Sequence, residues 1–224
     1  AIFKEGITPS GLEFMERDAL VWTQEFTGDH SITVAENHEA HLLIEVDGFD
    51  SEQLMKECEA ILRVLENFDT DEILFAESDA QKETLWSLRR KVGEAVKSQS
   101  TYKEEDTVVP RFELPELLRQ VKSIGDQYGF KSVCYGHAGD GNLHVNIIKG
   151  NLTNDQWNNE LPKAIRELFK EVVRLGGTLS GEHGIGLVQK SYMDIAFPEV
   201  TLELMRSIKK VFDPKGLLNP GKIF

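Results

Sequence analysis

Cysteine is scarce in this chain. Only Cys58 and Cys134 occur, far apart and outside any CxxC pair, so neither a disulfide framework nor a thiolate zinc site is expected. Such cysteine usage is typical of a reducing compartment. We therefore expect a cytoplasmic protein, or a mitochondrial-matrix protein if the source is eukaryotic, with membrane association only through a partner.

Positive charge and long apolar runs are also lacking. The 25 Lys and Arg residues are outnumbered by 38 Asp and Glu residues, which gives a formal net charge of −13. Clustered basic side chains bind nucleic acids and anionic membranes, so neither is an expected partner. No stretch approaches the roughly 20 apolar residues that span a bilayer, and residues 1–25 lack the pattern of a targeting segment. We expect a soluble chain that, because it opens abruptly at Ala1, was cut from a longer protein.

Hydrophobic residues make up 40% of the chain, which allows a sizeable core at this length. Helical spacing follows a cap at Asp50, and residues 142–148 alternate with period two after the hairpin residues 138–141. Strands are predicted at 41–47, 73–76, 108–109, 132–136 and 142–148, and helices at 54–65, 85–96, 114–124 and 161–173, with two shorter helices in the tail.

This order of elements predicts an α+β fold with a mainly antiparallel sheet and helices on one face. The loose recurrence of strand, helix and strand indicates a duplicated ferredoxin-like unit, followed by a C-terminal helical segment. Three regions are expected: an N-terminal connecting and helical segment at 1–40, an α+β substrate-binding sheet domain at 41–175, and a glycine-rich active-site loop with C-terminal helices at 176–224.

Two glycine-rich motifs carry the residues best suited to chemistry. In the segment GHAGDGNLH at 136–144, His137 and His144 flank a tight turn between two strands, which suits a pair of imidazole ligands for a divalent cation. In GEHGIG at 181–186, glycines flank Glu182 and His183, so the backbone can turn sharply there. Glu182 would complete a set of two histidines and one carboxylate, which leaves coordination positions open for water or substrate.

A blander interpretation remains open for these residues. A single histidine is more often a hydrogen-bonded core or surface residue, and Gly139 and Gly141 could serve the turn alone. The remaining histidines have no comparable setting and are interpreted as ordinary surface or strand residues: His30, His38 and His41.

Two nucleotide-binding patterns fail on inspection. Residues 216–222 (GLLNPGK) imitate a phosphate-binding loop, but Ile223 stands where Ser or Thr would ligate magnesium. Gly139 and Gly141 are followed by His144 at the third glycine position of a dinucleotide fingerprint. The chain therefore offers no pyrophosphate-binding loop of its own.

Nearly the whole chain resembles the C-terminal region of FAD-linked oxidases of the vanillyl-alcohol-oxidase type. This family includes D-lactate dehydrogenases, D-2-hydroxyglutarate dehydrogenases and the flavin subunit of glycolate oxidase. The resemblance rests on the two motifs above and on the closing segment FDPKGLLNPGK at 212–222, which occur together in this order. The segment LWSLRR at 85–90 also resembles the part of the family that presents an arginine to the substrate.

The resemblance implies roles for individual residues. His137, His144 and Glu182 would hold a divalent ion, zinc or manganese, and His183 would remove the hydroxyl proton of the substrate. Arg89 would bind the substrate carboxylate, although a solvated helix position stays open for Arg89 and Arg90 alike. Further contacts are implied for Asn146 with the substrate, and for Asn142 and Asn219 with the cofactor.

Two departures bear on the substrate. Where relatives acting on 2-hydroxyglutarate tend to carry a threonine, this chain has Gly93, and where they place a lysine it has acidic residues: Glu104, Glu105 and Asp106. A dicarboxylate is therefore disfavoured, and glycolate, lactate or a longer monocarboxylate is expected.

The resemblance implies FAD, bound mainly by an N-terminal domain that these residues do not include. We expect the chain alone to be colourless and inactive, with the FAD-binding domain of the same protein as its partner. Electrons would pass from FAD to a quinone, an iron–sulfur subunit or an electron-transfer flavoprotein, and a homodimer is compatible with the family. One alternative stays open: a stand-alone, non-catalytic module that binds metal or an organic acid. A metal-dependent hydrolase, which the two histidines and the glutamate alone would allow, is disfavoured because the closing motif at 219–222 would have no role in it.

Overall fold

The computed structural model describes residues 1–70 and 72–224. Within these residues the chain forms five strands and seven α-helices. They are divided between two compact units, one of residues 1–101 and 133–139 and one of residues 102–132 and 140–224. No helix in the described part of the chain combines the length and the apolar character needed to cross a membrane.

The first unit contains three paired strands, and β1 (Gly11–Glu16) is the middle one. On one side β1 pairs antiparallel with β2 (Ala40–Glu45), and on the other with the part of β4 (Lys131–His137) that belongs to this unit. The second pairing places Glu13 opposite His137.

Three helices complete the first unit: α1 (Arg17–Thr27), α2 (Ser51–Leu65) and α3 (Asp79–Ser98). Asp50 caps α2 by accepting the backbone N–H of Glu52 at 2.9 Å, as its position before the apolar repeat predicts. Helix α1 packs against α3, and α2 contributes to a small apolar cluster. That cluster consists of Ile2, Ile7, Ile61 and Val64.

The second unit is built on β3 (Tyr102–Val108) and β5 (Asn142–Ile148), which pair antiparallel along their whole length. Its helices are α4 (Leu114–Tyr128), α5 (Leu161–Arg174), α6 (Met193–Ala196) and α7 (Glu199–Phe212). Helices α4 and α5 pack together, and α5 also contacts β3. The core they share includes the fully buried side chains of Leu117, Leu143, Ile147, Ile165, Leu168 and Phe169.

Antiparallel pairing combined with separate helices confirms the predicted α+β class. The predicted strand at 142–148 has the observed bounds, and the helices predicted at 54–65, 85–96, 114–124 and 161–173 are present.

One strand prediction was wrong, and one strand was missed. Residues 73–76 form no strand, and the apolar side chains of Ile73, Leu74 and Phe75 are exposed. Strand β1 was not predicted. The strand expected at 108–109 begins earlier, at Tyr102.

Candidate active site

One face of the β3–β5 pair is polar. The register sets Asp106 opposite His144 and Glu104 opposite Asn146. Because successive side chains point to opposite faces of a strand, Asn142 lies on the same face as these four residues. The other face of β5 is apolar and buried: Leu143, Val145 and Ile147.

His144 lies in the middle of this polar face and is buried. Its Nε2 is 3.2 Å from Oε1 of Glu182, and its Nδ1 is 3.5 Å from Oε1 of Glu104. The ring of His183 stacks on the ring of His144, with centroids 5.0 Å apart. The structure therefore brings together three residues singled out in the sequence, and adds Glu104. We call Glu104, His144, Glu182 and His183 the β5 cluster.

The β5 cluster contains side chains of the types that ligate divalent ions. Burial lowers the pKa of His144, and the nearby His183 acts in the same direction. This shift, which Glu104 opposes, favours the neutral imidazole, the form that ligates metals. Ligand atoms of Glu104, His144 and His183 all lie within 4.8 Å of one another. Imidazole nitrogens and carboxylate oxygens are ligands for zinc and manganese, so these residues fit such an ion.

The segment that carries Glu182 and His183 is held by one buried carboxylate. Asp106 Oδ2 accepts the backbone N–H groups of Glu182 at 2.8 Å and His183 at 2.7 Å, and the hydroxyl of Ser180 at 2.8 Å. Its Oδ1 accepts from Nδ2 of Asn142 at 2.6 Å. Burial opposes ionisation, but these four donors hold the pKa of Asp106 below its usual value.

Glycine is required at position 181 by the lack of space. A Cβ there would lie 1.9 Å from Nδ2 of Asn142 and 3.0 Å from Oδ1 of Asp106. Three residues further on, Gly184 has φ +78°, a conformation that side chains disfavour, but open space around it. The glycines of this motif therefore serve two different purposes, close approach and backbone turn.

The C-terminal tail contacts the same glycine-rich segment. The N–H of Ile223 donates to the carbonyl of Gly186 at 2.8 Å. Lys190 donates through Nζ to the carbonyls of Gly221 and Phe224. Part of the closing motif at 212–222 therefore has a structural role that involves no phosphate, because its residues form turns that anchor the tail.

A second cluster lies in the first unit, around Glu13. Oε1 of Glu13 accepts from Nδ1 of His137 at 2.9 Å, and Oε2 accepts from Nε and Nη2 of Arg89 at 2.9 and 2.7 Å. The guanidinium of Arg89 also lies over the ring of Tyr135, 5.5 Å from its centroid. Burial alone would raise the pKa of Glu13, but the contacts with His137 and Arg89 lower it. We call Glu13, Arg89 and His137 the β1 cluster.

Arg89 and Arg90 differ sharply in their surroundings. The side chain of Arg89 is 11% exposed and shares the buried carboxylate of Glu13, whereas Arg90 is 52% exposed and pairs with Glu83 on the surface. Arg90 therefore matches the solvated helix position, and Arg89 retains the setting of a binding residue.

The three asparagines singled out in the sequence occupy different environments. Asn146 is fully buried, and neither atom of its amide has a hydrogen-bond partner among the described residues. Asn142 uses Nδ2 to bind Asp106 and the carbonyl of Thr107, while its Oδ1 has no partner in the described part of the chain. Asn219 lies in the exposed tail with φ 47° and accepts from Nζ of Lys222. Asn142 and Asn146 therefore have hydrogen-bonding capacity for a ligand.

Three acidic residues were missed as functional candidates. Glu13 and Glu104 belong to the two clusters, and Asp106 binds the segment that carries Glu182 and His183. In a sequence, acidic side chains within a strand look like solvent-facing positions, because the pattern does not show which groups from distant parts of the chain bind them. The available signal was the alternation at 102–108, where Glu104 and Asp106 share one face.

Comparisons with known proteins agree with this architecture. The family model of the C-terminal domain of FAD linked oxidases matches residues 1–223. A D-lactate dehydrogenase of Anaerostipes hadrus is 32% identical over 225 residues, which cover 99% of this chain and 47% of that protein. Glycolate oxidase subunit GlcD of Bacillus subtilis is also 32% identical, with 97% of this chain and 46% of that protein covered.

A similar fold is known from solved structures. The structure of 4-ethylphenol oxidase from Gulosibacter chungangensis in complex with isoeugenol matches 95% of this chain and 47% of that chain, with a TM-score of 0.60 and 12% sequence identity. The chain thus spans about half the length of the curated relatives it matches. With a family model covering residues 1–223, the chain belongs to the family of C-terminal domains of FAD-linked oxidases.

Proposed function

We propose that this chain is the substrate- and metal-binding part of a flavin-dependent 2-hydroxyacid dehydrogenase, which oxidises a glycolate- or lactate-type acid to the 2-oxo acid. The observation that carries the proposal is the convergence of His144, Glu182 and His183 in the β5 cluster. The names of its relatives, a D-lactate dehydrogenase and a glycolate oxidase subunit, support the same class of reaction.

The proposed metal ligands are His144, Glu182 and His137, with zinc or manganese as the ion. The 3.2 Å approach of Nε2 of His144 to Oε1 of Glu182 supports the first two. His137 is proposed as the third ligand because of its place in the motif at 136–144, and the hydrogen bond between its Nδ1 and Glu13 orients its ring. When bound, such an ion would act as a Lewis acid that lowers the pKa of the substrate hydroxyl.

His183 is the proposed base that accepts the hydroxyl proton. Its ring is half-exposed and stacks on His144, so it is accessible to a ligand at the polar face. General bases need to lie within hydrogen-bond reach of the proton that they remove. The backbone N–H of His183 is anchored to Asp106, and this contact limits where the ring can lie.

Arg89 is the proposed partner of the substrate carboxylate, and Asn146 a further substrate contact. The Nε–Nη2 edge of Arg89 is engaged by Glu13, so a substrate carboxylate would be bound through Nη1 and the remaining N–H groups. Asn146 offers both an acceptor and a donor from a fully buried position.

FAD is the proposed electron acceptor of the site and would be held mainly by a separate FAD-binding domain. When bound, the flavin would supply the acceptor for the hydride of the substrate. Within this chain, Asn142 could accept a hydrogen bond from the cofactor through Oδ1, and Asn219 is proposed as a second contact from the tail. The final acceptor is proposed to be a quinone, an iron–sulfur subunit or an electron-transfer flavoprotein.

A direct experiment is anaerobic mixing of the intact protein with candidate acids while flavin absorbance is followed. We expect glycolate or a lactate enantiomer to bleach the flavin faster than D-2-hydroxyglutarate. His183→Asn should slow bleaching by roughly 100-fold or more, the usual contribution of general base catalysis. His30→Asn, an exposed histidine outside both clusters, is the matched control and should react like the wild type.

Two results would contradict the proposal. One is an intact, flavin-loaded protein that no 2-hydroxy acid reduces, which would favour a non-catalytic binding module. The other is a His183→Asn variant that bleaches as fast as His30→Asn, because the proton would then be taken by another group.

A further inference from the structure

Asp106 has no part in the chemistry proposed above, yet it is one of the most buried charged residues of the second unit, with 1% exposure. It lies on β3 directly opposite His144 of β5. Through Oδ2 it accepts three hydrogen bonds from the segment 180–183, two of them from the consecutive backbone N–H groups of Glu182 and His183. A side chain on a paired strand thus contacts the backbone of the two residues with the most prominent proposed roles.

The segment 180–184 is not held by regular backbone pairing. It forms neither helix nor strand, and Gly181 and Gly184 give it an unusually wide choice of backbone angles. Hydrogen bonds to an ionised carboxylate are shorter and roughly twice as strong as neutral ones. Ser180 extends the arrangement, since its hydroxyl donates to Asp106 and accepts the N–H of Gly184 at 2.7 Å.

The strand register connects this anchor to the metal-binding candidate. Asp106 and His144 are direct neighbours in a ladder of seven residue pairs between β3 and β5. The same pair of strands therefore places the ring of His144 and the carboxylate that orients Glu182 and His183. A shift of the segment relative to β3 would move Oε1 of Glu182 away from Nε2 of His144, now 3.2 Å apart.

We propose that Asp106 is the positioning residue of this site: its carboxylate fixes the backbone of Glu182 and His183 so that their side chains meet His144. The inference deepens the proposed function and rests on it for the roles of Glu182 and His183. Asp106 itself touches neither substrate nor metal in this account.

Glu105 provides a matched control, because it is the neighbouring acid on β3, is equally buried, and points to the opposite face. Asp106→Asn replaces an acceptor oxygen with a donor amide at the centre of the four contacts, whereas Glu105→Gln makes the same chemical change away from them. Both variants would be prepared in the intact, flavin-loaded protein. Hydrogen exchange of the peptide that covers 180–184 would be measured beside kcat and KM.

For Asp106→Asn we expect amide exchange of Glu182 and His183 to accelerate at least about tenfold. We also expect kcat to fall about 100-fold while KM changes less than about threefold, because a misplaced base and ligand impair the reaction more than substrate binding. Glu105→Gln should leave both the exchange of this peptide and kcat within about twofold of the wild type. If Asp106→Asn does not fold, Ser180→Ala, which removes one donor only, should show faster exchange at the same two amides.

The outcomes separate this inference from the proposed function. Unchanged exchange at Glu182 and His183 in Asp106→Asn, or in Ser180→Ala where that variant replaces it, would overturn the positioning role. Equal losses of kcat in Asp106→Asn and Glu105→Gln would overturn it too, since a general effect of losing a buried acid would explain both. If the wild type oxidises no 2-hydroxy acid, the proposed function fails, and the exchange measurement alone decides whether Asp106 fixes the segment.

Discussion

Glu13 and His137 are direct partners across the β1–β4 register, and Oε1 of the carboxylate lies 2.9 Å from Nδ1 of the imidazole. The other oxygen of the same carboxylate binds Arg89. Glu13 therefore orients two residues that were predicted for different tasks, one for metal and one for substrate. A carboxylate behind a histidine fixes the tautomer and the orientation of its ring.

Arg89→Gln is expected to lower the free energy of unfolding by about 3 kcal/mol, because it leaves the Glu13 carboxylate buried with one partner fewer. Arg90→Gln is the matched control on the same helix. Its partner Glu83 is 68% exposed, so the change should stay below about 1 kcal/mol. Urea denaturation of the two variants measures the difference, and equal losses would show that the β1 cluster contributes no special stability.

The sequence located most elements but not the acids that organise the site. Strand β5 could be predicted to the residue because His144 and Asn146 alternate with apolar neighbours that fill the core. Strand β1 could not, since Glu13 and Glu16 interrupt its apolar pattern. Both are partnered in the fold: Glu13 by Arg89, and Glu16 by the N–H of Cys134 at 2.8 Å.

At 73–76 the apolar residues predicted a strand that does not form. A short apolar run is compatible with a strand, but a strand forms only where a neighbouring edge can accept its hydrogen bonds. Such an edge depends on residues far away along the chain. For the same reason, the roles of Glu104 and Asp106 appear only once β3 and β5 are in register.

Stability should fall as pH rises from 4.5 to about 7 because of Glu105. Burial raises the pKa of this carboxyl from 4.5 to about 7. Below pH 4.5 it is protonated in both the folded and unfolded states, whereas between 4.5 and 7 the folded state holds the proton more tightly. The stabilisation is thus complete below the unfolded pKa and is lost as pH rises through the folded one, by up to about 3 kcal/mol.

The test of this prediction is the free energy of unfolding of wild type and Glu105→Gln between pH 5 and about 8.5. Glutamine does not titrate, so the variant should lack the part of the decline that belongs to Glu105. Parallel curves for the two proteins would show that this carboxyl does not titrate in the expected range.

Gly181→Ala should destabilise the protein more than Gly184→Ala. The new Cβ at 181 would overlap Nδ2 of Asn142, and forcing atoms into a packed site costs typically 1–3 kcal/mol. At 184 there is open space, so only the strain of a positive φ remains, about 1 kcal/mol. Thermal unfolding of both variants compares them, and a more stable Gly181→Ala variant would argue against the close approach of Asn142.

Glu104→Gln is expected to improve the use of a dicarboxylate. The Glu104 carboxylate lies 3.5 Å from Nδ1 of His144, on the face proposed to receive the substrate, and a negative group there repels a second carboxylate. The ratio of kcat/KM for D-2-hydroxyglutarate to that for glycolate should rise about tenfold. Glu83→Gln, an exposed acid away from both clusters, should leave the ratio unchanged. A ratio that changes in neither variant would exclude Glu104 from substrate selection.

The most direct test of the account is the metal content of the intact protein, determined by elemental analysis for wild type, His144→Ala and His41→Ala. His41 lies on β2, outside both clusters, and serves as the matched control. We predict about one zinc or manganese ion per chain in wild type and His41→Ala, and loss of that ion in His144→Ala. A wild type that stays metal-free after incubation with both ions, or a His144→Ala variant that retains its metal, would contradict the assignment of His144 as a ligand.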